Sequence, residues 1–391
     1  MGHKAIIGIS QPFETDVVVI GAGIFGLAAS EQCLHQGAAK VTLLERHQVG
    51  HRGGSSHGRV RIARSAYAHP AYVHLMKRTF DEYWPRLSHR VHRQLLRPNP
   101  ALIFGPKDGL VDQYLNGVRQ AGADVIPLSG QDRAHWSTYI RETEHRILLD
   151  RTAAIIDADA TRQGLMAALR ELKCDIREGV RVEHIETGQN RLVVHTNAGT
   201  ILCDRIICTA GPWTSQLFPS LATTLRVVRQ HVGFYAATAA RDRPITQAVW
   251  IYLGDRDDTV HYGLPEDPYT AKAAAHVRLG HDDDFSVPAD VDALALTALD
   301  TFMAAQFNRP LRRVDAQTCL YTPAPNDDFI IDFMPTDDRI IVAAGFSGHG
   351  FKFAPLIGAA LAQLALDGQC QIDEFSSMRP RFTWPKQQGK T

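Results

Sequence analysis

The chain of 391 residues is 45% hydrophobic and 21% charged, with 42 basic and 42 acidic side chains. That length supports two ordinary domains around a large buried core and excludes a small disulfide-held scaffold. The balanced charge supplies no net field to draw the chain to nucleic acid or an anionic membrane, so a small molecule is the expected partner. The six cysteines (Cys33, Cys174, Cys203, Cys208, Cys319, Cys370) show neither C-x-x-C pairing nor metal spacing, which suits a reducing cytoplasm. The N-terminal MGHKAIIGISQPFETD has too short an apolar run for a signal peptide, and no window approaches the roughly 18 consecutive apolar residues of a spanning helix. A soluble cytoplasmic protein without metal is expected.

In chain order, Thr15 to Ile20 (TDVVVI) is a β-branched run, followed at once by Gly21-Ala22-Gly23-Ile24-Phe25-Gly26 and a helical stretch, LAASEQCLHQG, ending on Gly37. In such a strand–turn–helix unit Gly21 permits the tight turn and Gly23 lets backbone N–H groups approach a pyrophosphate, while Gly26 lets the helix pack close to the strand. The next strand, Val41 to Leu44, ends on Glu45, where a carboxylate can accept hydrogen bonds from a ribose hydroxyl. These features predict an adenine-dinucleotide site. They do not separate FAD from NAD, because both carry an ADP half.

Residues 53 to 67, GGSSHGRVRIARSAY, run from a glycine–serine turn into Arg59, Arg61 and Arg64. Taken as a helix, the segment puts Arg61 and Arg64 on one side, where either can hold a carboxylate or an electron-rich ring; a solvated cationic face is the plainer reading. Tyr72 to Leu87 reads as an amphipathic helix, a domain crossover falls near residue 86, and a helix follows near Leu110 to Gln120. Residues 157 to 186 read helix then strand, and RIICTAGPWT (205 to 214) reads as a buried strand ending in a glycine turn. Residues 223 to 316 mix alternating strands (VVRQHVGFYAA, QAVWIYL, TVHYGL) with one helix, Val291 to Phe307, for which Asp290 is the candidate cap. This predicts an antiparallel sheet with a helix packed on it.

After QTCLYTPAPNDDFIID (317 to 332) come a strand RIIVAAG, then Gly345-Phe346-Ser347-Gly348-His349-Gly350-Phe351-Lys352, and an apolar helix from about Ala354 to Leu366. This second glycine-rich strand-to-helix junction lets backbone donors reach something flat and electron-rich, and a helix N-terminus there stabilises negative charge. A reduced flavin carries such charge at its N1/C2=O edge; a nicotinamide does not.

Together, GAGIFG, GSSHGRVRIAR, YGLP, CLYT and AAGFSGHGFKF resemble the monomeric sarcosine oxidase family, which includes the N-methyltryptophan and pipecolate oxidases. The resemblance implies FAD, held covalently through Cys319 as a thioether to the 8α-methyl carbon. It implies an α/β chain (α+β overall): an FAD-binding Rossmann-like domain from residues 1–85, 145–222 and 320–391, and an antiparallel-sheet substrate domain from 86–144 and 223–319. The cofactor-binding residues it implies are Gly21, Gly23, Gly26, Glu45, Arg61, Val182, Gly211, Trp213, Cys319, Gly345, Gly348, Gly350 and Lys352. Arg64 and Lys352 match the pair that clamps the substrate carboxylate, Tyr262 and Tyr321 match pocket tyrosines, and Arg61 and His57 lie at the flavin ring. Lys272 matches a lysine that activates oxygen and His276 a histidine at the pocket, in an alignment that needs a one-residue gap. The implied reaction oxidises a secondary amino acid, N-alkyl or cyclic, to an imine and reduces oxygen to hydrogen peroxide, in a monomer. A dehydrogenase of the same fold, passing electrons to a quinone or electron-transfer protein, stays open. One departure bears on substrate: where the sarcosine and N-methyltryptophan oxidases carry A-Y-G-E-G over the pocket, this chain has Ala66-Tyr67-Ala68-His69-Pro70, which predicts a stiffer turn without the acidic charge.

Overall fold

A computed structural model describes residues 13–141, 144–255, 260–280, 282, 289–309 and 311–385. The N-terminal segment read above for targeting therefore lies outside the described residues up to position 12.

The β-branched run near the start forms the strand Phe13–Ile20, whose last four residues are all buried. It is the centre of a sheet, paired in parallel with Gly199–Cys208 on one side and Val41–Glu45 on the other. Two further parallel strands extend this core: Asp175–Glu178 beside Val41–Glu45, and Asp337–Ala344 beside the end of Gly199–Cys208. An antiparallel pair, Val182–Thr187 and Leu192–Thr196, continues from the other half of Gly199–Cys208. Near-continuous apolar strands are what a parallel sheet buried on both faces requires. The helices Ile24–His35 and Ala354–Asp367 cover one face, and they approach closely: a Cβ on Gly358 would lie 2.6 Å from that of Ala28.

A second sheet runs in the order Leu311–Tyr321, Val228–Ala237, Thr270–Ala275, Val260–Pro265, Val249–Leu253, Ala101–Gly105, Arg146–Asp150, Val125–Pro127. All pairings are antiparallel except that of Val249–Leu253 with Ala101–Gly105. Strand alternation divides its residues. Tyr235, Trp250 and Ala273 pack with Leu299 and Met303 of the helix Ala293–Gln306, whereas Val232, Ile251, Tyr262 and Lys272 line a large cavity on the opposite face. A small antiparallel sheet of Val60–Ala63, Ala154–Asp157 and Leu96–Pro98 lies between.

Three local expectations change. Arg61 and Arg64 are not on a helix: Arg61 sits in the strand Val60–Ala63 and Arg64 just beyond it, because pairing with Ala154–Asp157 overrides the isolated spacing. The cap of the late helix is Asp292, whose side chain accepts from Leu294 N, rather than Asp290. The helix expected over Tyr72 to Leu87 is two, Pro70–Arg78 and Trp84–Arg90, joined by a π-helical turn at Thr79–Tyr83. His69-Pro70 begins the first of them, with Pro70 at the first helical position and His69 Nδ1 accepting from Ala71 N at 3.2 Å. No helix among the described residues is long and apolar enough to cross a membrane.

Candidate active site

A cavity of about 860 Å³ joins the two glycine junctions to the second sheet, within the size range of pockets that enclose small ligands and cofactors. Of the cofactor-binding, substrate-binding and catalytic residues that the resemblance implied, all but Gly26 line it. Gly26 acts one layer behind: a Cβ there would lie 1.9 Å from Gly21 O and 2.7 Å from Thr209 Oγ1, so only glycine lets the helix begin against the turn. Gly21 has φ +96, which favours glycine.

Around the first junction, Glu45 is buried and its carboxylate accepts from Ala22 N at 2.9 Å (Oε2) and from His47 N at 2.9 Å (Oε1). Each oxygen keeps a lone pair for a further donor. Ile24 N donates to Ser56 Oγ at 3.0 Å, which ties the helix start to the glycine–serine turn. Gly211–Trp213 is a 3₁₀ turn, with Arg46 4.8 Å from the Trp213 ring centroid. Val182, at the start of its strand, lines the cavity with them.

The second junction is bound to the first through stacked rings: Phe25 and Phe346 have centroids 3.6 Å apart at 13°. Gly348, with φ +73, has no room for a side chain, since a Cβ would lie 2.3 Å from the Tyr321 ring. Tyr321 and Tyr262 share a hydrogen bond, 3.1 Å between hydroxyls. Their strands enforce the placement, with Gln317, Cys319 and Tyr321 on one face of Leu311–Tyr321 by the two-residue period. Lys272 and His276 likewise share a face at even spacing, His276 standing one residue past the strand Thr270–Ala275.

Arg64 lies between two rings, its guanidinium carbon 4.4 Å from the Tyr67 centroid and 5.4 Å from that of Tyr114. Its Nη1 is buried without a hydrogen-bond partner among the described residues. Lys352 Nζ donates to Tyr67 Oη at 3.0 Å and to His349 O at 2.6 Å. Buried Asp150 holds the chain just past Arg64, accepting from Ser65 N at 2.8 Å and Ala66 N at 2.9 Å. Sequence reading gave no role to Tyr67, Tyr114 or Asp150; Tyr67 was noted only within the Ala66–Pro70 departure, and the other two carried no local signal.

Arg61 donates to the carbonyls of Val60, Ser55 and His57, so its charge is fixed against the backbone of the turn. Lys272 Nζ donates to Val60 O at 2.7 Å. Burial, then Arg61, pulls the Lys272 ammonium down to about 7, against the opposing pull of Glu266 and Cys319. Burial, then Arg64, holds Lys352 well below the usual lysine range. Burial and neighbouring cations take His57 and His276 down to about 3, so both are neutral at physiological pH. The cavity thus crowds cations together with neutral imidazoles, an arrangement relieved by an anion. Burial raises the Cys319 thiol, with Arg61 and Lys272 pulling against it. Of the six cysteines only Cys319 lines the cavity among the described residues.

A dinucleotide cradle continuous with a buried cationic pocket is the arrangement of a cofactor-dependent oxidoreductase. Comparison with known proteins agrees: the family model for FAD dependent oxidoreductases matches residues 16–364, and the chain belongs to that family. It is 31% identical to a mouse peroxisomal sarcosine oxidase, covering 90% of this chain and 92% of that one. It is 28% identical to a monomeric sarcosine oxidase of a Bacillus species, covering 93% and 96%. In fold it is similar to NikD, described as an unusual amino acid oxidase essential for nikkomycin biosynthesis, with a TM-score of 0.80 at 21% identity over 95% of this chain and 97% of that one. The residues present fit FAD: the turn at Gly21 and Gly26 admits no side chain, and a buried carboxylate stands at the end of the following strand.

Proposed function

We propose that the protein is an oxidase of secondary amino acids, with hydrogen peroxide as the second product. The chain is an FAD-dependent oxidoreductase that oxidises an amino-acid-like substrate at a CH–NH bond. The finer reading is supported by one observation above all. A single cavity joins the dinucleotide cradle to Arg64 and Lys352 and to a separate buried cation, Lys272.

In this reading the glycine turns, Glu45, Val182, Gly211 and Trp213 hold the cofactor, and Cys319 tethers it through a thioether. When bound, FAD accepts a hydride equivalent from the carbon beside the substrate nitrogen and passes two electrons to dioxygen. The chain's own residues do the rest. Arg64 and Lys352 take the substrate carboxylate, Tyr67 orienting the Lys352 ammonium by its hydrogen bond, and pinning the acid sets the reacting carbon in place. Tyr262 and Tyr321, joined through their hydroxyls, flank the amine. Neutral His276, in ring contact with Tyr321 at 5.3 Å, takes a hydrogen bond without adding charge. Arg61, with His57 beside it, offsets negative charge gained by the cofactor ring, and Lys272 offsets charge developing on dioxygen. The chain acts as a monomer in the cytoplasm, a placement supported by six free thiols.

The test mixes the yellow protein with secondary and primary amino acids without oxygen, follows bleaching of the flavin band, then admits oxygen and measures peroxide. Bleaching by secondary amino acids with stoichiometric peroxide is expected. Bleaching without peroxide, and turnover only with a quinone, would identify a dehydrogenase instead.

A further inference from the structure

One ionisable side chain beside the cavity, Glu266, is nearly buried and has no part in the reaction as described above. Glu266 Oε2 lies 3.7 Å from Lys272 Nζ, and the two side chains are 8% (Lys272) and 10% (Glu266) exposed. Lys272 lines the cavity; Glu266 does not. Glu266 Oε2 is buried with no hydrogen-bond partner among the described residues, while Lys272 spends one donor on Val60 O.

The placement follows from strand register. Leu264 stands opposite Lys272, and Pro265 opposite Ala271. The next position, Glu266, is bonded to Thr270 by its backbone N–H at 2.9 Å, so Glu266 and Lys272 form a diagonal pair on one face of the hairpin. Asp267 closes the turn, accepting from Tyr269 N at 2.7 Å and Thr270 N at 2.9 Å. The backbone that carries the Glu266 side chain is therefore fixed by the hydrogen bonds of the turn.

Four groups act on Lys272 from the elements packed around it: Arg61 from the small sheet, His57 from the turn before it, Cys319 from the strand Leu311–Tyr321, and Glu266 from its own hairpin. His57 is neutral, and Cys319 carries no charge either as a protonated thiol or as the thioether proposed above. Arg61 is a permanent cation. Glu266 is thus the only anion among them, and a buried ammonium beside a guanidinium sheds its proton unless a carboxylate offsets both burial and repulsion.

We propose that Glu266 is the buried counter-ion that keeps Lys272 in its ammonium form, a positioning residue acting from behind the cavity on the cation that faces dioxygen. The oxygen role of Lys272 rests on the reading under Proposed function; the pairing does not.

The experiment separates the two. Flavin-loaded protein labelled at lysine Cε with carbon-13 is titrated by NMR, the Lys272 signal being assigned by its loss in Lys272→Met. Glu266→Gln keeps the volume and removes the charge. Its Lys272 midpoint is expected to fall by about one pH unit or more, and Glu266→Asp should restore part of that shift. In stopped flow at pH 7, reoxidation of reduced Glu266→Gln by oxygen should slow about fivefold, because a one-unit fall from a midpoint of about 7 takes the ammonium fraction from about one half to about one eleventh, while reduction by substrate changes less than about twofold. An unchanged Lys272 midpoint in Glu266→Gln overturns the proposal, as does equal slowing of both half-reactions, the mark of a structural role. A lowered midpoint with unaltered reoxidation in both Glu266→Gln and Lys272→Met upholds the counter-ion and refutes the oxygen role of Lys272. Should Glu266→Gln not fold, Glu266→Asp carries the same titration, with a smaller downward shift expected and none overturning the idea.

Discussion

Arg64→Met tests the carboxylate site most directly, because it keeps a long unbranched side chain between Tyr67 and Tyr114 while removing the guanidinium. The buried, unpartnered Nη1 makes no bond in the protein that the substitution would break. Loss of that donor is therefore felt by the ligand, while the rest of the guanidinium gives up its contacts with Tyr67 and Tyr114, a cost that falls on acid and simple amine alike. A hydrogen bond to a charged group contributes about 1.5–3 kcal/mol, which corresponds to about a 10- to 150-fold fall in kcat/KM. The fall stops short of an orphaned buried carboxylate because Lys352 remains, and removing Arg64 lifts one of the two influences that depress the Lys352 ammonium. Anaerobic stopped flow measures the apparent Kd and the limiting reduction rate, with a secondary amino acid and with the same amine lacking its carboxylate. The loss should be larger with the acid, mainly in Kd, than with the simple amine. Equal losses on both compounds, or a loss under about twofold on the acid, would refute the assignment.

Lys272→Met should slow reoxidation by about 10²- to 10³-fold, the scale of removing one preorganised charge-stabilising group, and leave reduction within about twofold; stopped-flow half-reactions check this. Cys319→Ala should release flavin from the denatured chain, seen as fluorescence running free of the protein band on a gel, whereas in the wild type it travels with the band. Gly26→Ala places a Cβ 1.9 Å from Gly21 O, so a thermal melt should show a stability loss of about 1–3 kcal/mol and the purified protein should contain less flavin. The Lys272 ammonium is lowered from 10.5 to about 7, so the reoxidation rate should decline as pH rises through about 7. The sign is opposite for folding: between those two values the unfolded chain binds more protons, so this group's contribution to stability grows with pH, which urea melts of wild type and Lys272→Met across that range can resolve.

Much of the cofactor site was legible in the chain because its demands are short-range. A turn with φ +96 at Gly21, and a helix start 1.9 Å from a carbonyl at Gly26, are steric conditions that one residue type meets, so GAGIFG carries its meaning wherever it folds. Buried parallel strands such as Asp337–Ala344, whose last five residues are all buried, advertise themselves by apolar runs. The resemblance to a family then named Cys319, Arg64 and Lys352, which the structure places in one cavity. What the chain alone could not decide depends on partners distant in sequence. The arginines were open to a helical reading until pairing with Ala154–Asp157 made their segment a strand. Tyr67 gained its place from Lys352, 285 positions away, and Asp150 gained its own from the backbone of Ser65 and Ala66. Glu266 in a hairpin turn reads as a solvated acid; only the register of Val260–Pro265 against Thr270–Ala275 brings it to Lys272 and buries both. Backbone sterics are written locally, whereas burial and charge pairing exist only once strands from different parts of the chain lie side by side.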